Sequence, residues 1–142
     1  MTVAVPARRA ASFTRWMVRA GWVIGALGVS VLLMSARWKL TRQPFYVAEW
    51  GRIGWDPGAL PAIATVQLTC ATLYLIPRTA VLGAVLFTGY LGAAMSQYVR
   101  LGEPYPVLVP LTTALLLWAG IYLREERLRT LLPIRRKRQV ES

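Results

Sequence analysis

Two apolar segments, each long enough to cross a bilayer, meet at Leu75-Ile76-Pro77-Arg78-Thr79-Ala80 with no polar run between them. Pro77 cannot continue a helix comfortably and disfavours helical geometry at Ile76 before it. Arg78 is costly in hydrocarbon, so it marks a membrane surface. The stretch from Gln67 to Arg100 therefore predicts two transmembrane helices joined by a very tight turn.

Composition agrees with that hairpin. Hydrophobic residues make up 56% of the 142-residue chain and charged residues 16%, against about 45–50% and about 25% in soluble domains. The net charge of +11 would suit nucleic acid if it lay on one face. Instead the basic residues sit between and beyond the apolar spans, which is the pattern of membrane topology and argues against a nucleic-acid partner. Histidine is absent and Cys70 is the single cysteine. One chain thus has no disulfide, no CxxC redox pair, no Cys/His zinc site and no histidine-held haem. Cys70 reads as a small packing residue in mid-span.

The spans fall at about 18–36, 59–76, 79–99 and 106–123. Residues 1–15 read as a basic cytoplasmic tail, 16–132 as the membrane domain and 133–142 as a polybasic cytoplasmic tail. The first span has the outline of a secretory signal, with Met34-Ser35-Ala36 as a cleavage motif. Because three more spans follow, it is read as a retained helix. Gly21, Gly25 and Gly28 supply small residues at close-packing spacing, and Ala84, Thr88, Gly92 and Ser96 give the third span one smooth face. Arg37, Trp38 and Lys39 close the first span as surface residues, and residues 45–53 form a short amphipathic interfacial helix rich in aromatic groups. Beyond Arg124 the last helix is expected to continue along the interface towards Pro133, followed by the polybasic run Arg135-Arg136-Lys137-Arg138.

Twelve of the Lys and Arg residues lie on the side of the two termini and the Pro77 turn, namely Arg8, Arg9, Arg15, Arg19, Arg78 and the seven from Arg124 onward, and five lie in the other two connections. Both termini are therefore expected in the cytoplasm. The fold class is all-α, an antiparallel transmembrane four-helix bundle with a short interfacial helix between the first and second spans.

No Asp or Glu lies inside a span, which argues against a pump that uses a buried carboxylate. The intramembrane polar groups are amides, phenols and hydroxyls. Gln67, Cys70 and Tyr74 share one helix face, Tyr90 and Gln97 share another, and the tight turn brings Gln67, Thr88 and Tyr90 to similar depth. Such groups either tie helices together or fix the head of a lipophilic ligand between them. The candidate ligand-binding residues are Gln67, Tyr90 and Gln97, with Lys39 and Arg100 near the outer mouth.

These residues carry a resemblance. Lys39 soon after the first span, Ile53-Gly54-Trp55-Asp56-Pro57 before the second, and the block from Leu73 to Ala84 are similar to the DoxX-like family of small bacterial membrane proteins. Thr88 to Ala94, Val99-Arg100-Leu101-Gly102 and Trp118 to Leu132 extend the likeness over about residues 20–134. Before Val99-Arg100, where relatives often carry Thr-His, this chain has Gln97-Tyr98. The resemblance implies a four-helix bundle in the bacterial cytoplasmic membrane, a lipid-bilayer partner and a link to quinone-dependent or stress-related redox systems. On that basis the chain is expected to be a non-catalytic subunit, or a bundle that binds quinone or lipid, accompanying a membrane redox protein. The alternatives are a small-solute transporter working as a homodimer through the Ala84–Ser96 face, and an oxidoreductase passing electrons to quinone.

Overall fold

A computed structural model describes residues 7–131 of the chain. In order, the helices are α1 (Ala7–Leu40), α2 (Pro44–Arg52), α3 (Leu60–Leu75), α4 (Ala80–Arg100), α5 (Pro104–Arg124) and α6 (Glu126–Leu131), with one 3₁₀ turn at Pro57–Ala59. Helices α1, α4 and α5, and α3 taken with the 3₁₀ turn before it (Pro57–Leu75), are long and apolar enough to cross a membrane. They contact one another in the cyclic order α1, α3, α4, α5 and back to α1, with each neighbour antiparallel. The short helix α2 lies between the first and second spans, as the amphipathic pattern predicts. The polybasic run Arg135–Arg138 lies outside the described residues.

The tight turn follows its chemistry. Ile76, placed before proline, is extended at φ −79° and ψ 119° and ends α3. The Thr79 hydroxyl then donates to the Leu73 carbonyl at 2.9 Å, closing the helix end. The Arg124 guanidinium reaches the Tyr74 carbonyl at 2.6 Å from the other side, a favourable place for a cation. Only Gly83 fits where α4 leaves this turn, because a Cβ there would collide with the Tyr74 backbone nitrogen. The last turns of α1, α2 and α4 close with one shared pattern. Gln43, Trp55 and Glu103 donate their N–H to the carbonyls of Trp38, Trp50 and Tyr98 at 3.1, 2.9 and 3.0 Å. The residue before each is left-handed, namely Arg42, Gly54 and Gly102.

Small residues set the closest helix contact. A Cβ on Gly120 would stand 2.7 Å from the Gly25 backbone, and one on Gly21 would stand 2.7 Å from the Gly120 carbonyl oxygen. The glycine spacing in the first span is thus the seam between α1 and α5. The smooth face of α4 behaves differently. Ala84 is buried, but Thr88 and Ser96 are exposed and nothing stands within 4 Å of where a Gly92 Cβ would lie, so packing on that face thins out away from Ala84. The core of the half nearest the α3–α4 turn is solid, with Tyr74, Phe87, Leu117 and Ile121 fully buried.

Three boundaries differ from the sequence expectation. Helix α1 reaches back to Ala7, inside the stretch assigned to the N-terminal tail. At its other end it runs on to Leu40, so Lys39 is not a surface residue but is only 3% exposed. The reason is α2, which folds back over this turn and packs Phe45 and Tyr46 on Trp38, with ring centroids 5.3 and 6.2 Å apart. Finally, α5 does not continue smoothly. Glu125 is extended, and the break turns α6 so that Leu128 is buried in the core.

Candidate functional site

The half of the bundle beneath α2 is hollow. A cavity of about 690 Å³ is walled by all four long helices and roofed by Tyr46 and Trp50 of α2. Its walls are mostly apolar. Val31 and Met34 of α1, Val66 of α3 and Val109 of α5 belong both to the lining and to the exposed surface of the bundle. The cavity is therefore continuous with the face that meets lipid.

One polar constellation stands in this wall. The Lys39 ammonium donates to Ser35 Oγ at 2.7 Å and to Gln67 Oε1 at 2.8 Å. Gln67 is 1% exposed, and its amide nitrogen donates to the Leu32 carbonyl at 2.7 Å. That carbonyl can only accept, so the amide is locked with its oxygen towards Lys39. Tyr90 donates its hydroxyl to the same Gln67 oxygen at 2.9 Å. The ammonium also lies 5.1 Å from the Tyr46 ring centroid and 5.8 Å from that of Tyr90, within range of cation–π attraction. Ser35 and Tyr46 complete the cluster through a 2.9 Å bond between their hydroxyls. Outside the spans, burial pushes the Tyr46 phenol above its ordinary pKa, with the bond to Ser35 opposing it, so the hydroxyl stays neutral.

Lys39, Gln67, Tyr90 and Gln97 all line the cavity, and the first three touch. Arg100 does not join them. It is exposed and donates to the Ile53 carbonyl at 2.6 Å, holding the segment that follows α2. Thr88, although at the expected depth, faces Trp118 and accepts from its indole nitrogen at 2.8 Å. Sequence reasoning missed Ser35 and gave Tyr46 only a belt role. The signal was available for Ser35, which stands one helical turn before Lys39. For Tyr46 it was not, because its contact depends on α2 folding back.

The roof is fastened at one corner. Arg52 pairs with Glu49 at 2.6 Å and with Glu103 at the start of α5. Its hydrogen bond holds the Glu49 carboxyl below the ordinary carboxylate value, with a smaller contribution from a bond to Tyr98. The two carboxylates raise the Arg52 value in turn. Among the described residues, no group of His, Cys, Asp and Glu side chains is arranged to hold a metal. The site offers a buried lysine, fixed hydrogen-bonding groups and an apolar chamber. Its geometry suits binding.

Compared with known proteins, the chain matches the model of the DoxX-like family over residues 23–120. No match was found among curated proteins or among solved structures.

Proposed function

The chain belongs to the DoxX-like family, and from that premise we propose that this small multi-pass membrane protein is a non-catalytic bundle binding a lipophilic molecule of quinone or lipid class. The observation that carries the reading is the placing of Lys39, Gln67 and Tyr90 together in the wall of an apolar chamber that opens to lipid. Ligand pockets of this kind span roughly 300–1,000 Å³ and use a few fixed polar groups to orient a mostly apolar guest. Here the tail would lie among the valines and Met34, and the oxygen-bearing head would meet Lys39 and Gln97. A role beside a membrane redox or stress-response protein is part of this proposal and rests on family membership alone.

The orientation belongs to the proposal too. The charge distribution favours both termini in the cytoplasm and the α2 roof outside, and the bacterial inner membrane rests on family membership. Reporter fusions at each end test it, and activity of an export-dependent reporter at either end would contradict it.

The binding claim is tested in nanodiscs with a short-chain benzoquinone, which quenches nearby tryptophan. Trp38, Trp50 and Trp55 line the cavity, so saturable quenching is expected. The Gln67→Leu, Tyr90→Phe double variant should weaken it about tenfold or more. Quenching that never saturates, or that the variant leaves unchanged, contradicts the reading.

A further inference from the structure

Among the described residues, no carboxylate meets the charge on Lys39. Its side chain is 3% exposed, and the groups that meet it are Ser35, Gln67 and the Tyr46 and Tyr90 rings, all neutral. The carboxylates among the described residues are committed elsewhere or distant. Glu49 and Glu103 hold Arg52, and Asp56 caps Gly58. Glu125 and Glu126 follow α5, at the end of the bundle where the Arg124 guanidinium meets Tyr74. A buried cation without a counter-ion is costly, and in membrane proteins such residues pair with an opposite charge or mark a ligand.

Hydrogen bonding sharpens the point. The ammonium has three donors, of which Ser35 and Gln67 take two. Gln67 turns its acceptor oxygen to the ammonium, while one of its two amide N–H groups is spent on Leu32. Tyr90 already donates to Gln67, so it presents lone pairs and not a proton. The polar wall thus combines one ammonium, whose third donor Ser35 and Gln67 leave untaken, with neutral amide groups of Gln67 and Gln97 beside an apolar chamber. A neutral carbonyl would satisfy the donor but leave the charge.

We infer that the guest is a lipophilic anion, an apolar tail bearing one ionised oxygen head that pairs with Lys39. This deepens the proposed binding role and rests on it. Two sources share that chemistry, a long-chain carboxylate and an aromatic hydroxyl acidic enough to ionise.

Wild-type protein in nanodiscs is titrated with dodecanoate and its methyl ester, and with an alkyl hydroxynaphthoquinone, ionised at neutral pH, and its methoxy analogue. Protein-free nanodiscs supply the partitioning blank. At least one anion should bind about tenfold or more tighter than its neutral partner, and which pair shows the preference identifies the source. Lys39→Arg should keep the preference and Lys39→Gln should abolish it. Equal affinity within both pairs in the wild type overturns the inference while leaving a lipophile pocket standing. Saturable binding by none of the four overturns the pocket as well. Because the wild-type comparison needs no variant, poor folding of a Lys39 substitution leaves the test intact.

Discussion

At the scale of single residues, Gln67 is the centre of the polar cluster, since Lys39, Tyr90 and the Leu32 carbonyl all converge on its amide. Gln67→Leu leaves the ammonium without one acceptor and the Leu32 carbonyl without its side-chain donor. Hydrogen bonds to charged groups contribute about 1.5–3 kcal/mol, so thermal unfolding in detergent should show a loss of about that size. Lys39→Met in the same chain removes the orphaned charge, and the double variant should recover much of the loss. Simple additivity of the two changes would refute the coupling. The sequence made Gln67 and Tyr90 legible because the Pro77 turn fixes their relative depth. It misjudged Lys39, which stands between a span and a loop and so looks like a topology marker. What buries it is a contact made through Tyr46, and no local pattern announces that.

At the scale of elements, the α3–α4 turn and the α2 roof are the two joints that matter. Gly83→Ala should cost about 1–3 kcal/mol, as overpacking does, because its Cβ meets the Tyr74 backbone. Gly89→Ala, on the same helix but facing open space, should be neutral or gain up to about 1 kcal/mol through helix propensity. Paired melting curves separate the two, and equal effects would remove the turn from the account. The roof has a pH dependence of definite sign. Arg52 holds the Glu49 carboxyl below its ordinary value of 4.5, so the clamp contributes fully above that value. It weakens as the pH falls through the lower folded-state value. Hydrogen exchange in residues 44–52 should therefore quicken in acid relative to the bundle, and Arg52→Gln should erase most of that difference. Span count and the presence of α2 could be read from apolar length and aromatic patterning. The reach of α1 could not, because Ala- and Arg-rich sequence at its start shows no apolar period, and its far end is covered by another element.

For the whole molecule, one end of the bundle is filled and the other is hollow, and the proposed function depends on that asymmetry. Tyr74, Phe87, Leu117 and Ile121 lock the half near the α3–α4 turn, which gives the open half a rigid base. The antiparallel bundle followed from span lengths and short connections, whereas the chamber did not. A void is set by what four helices together fail to fill, and each lining residue taken alone is an ordinary membrane side chain. On the smooth α4 face, Ala84 is buried and Thr88 meets the Trp118 indole, while Ser96 is exposed among the described residues.

The central claim is that the chamber beneath α2 holds a lipophilic guest at Lys39. Its most direct test is native mass spectrometry of the protein released from its own membranes in mild detergent, run beside the Gln67→Leu, Tyr90→Phe variant. The account predicts a stoichiometric small-molecule adduct of quinone or lipid mass on the wild type, reduced or missing on the variant. A wild-type chain that flies bare under conditions mild enough to keep annular lipid would contradict it.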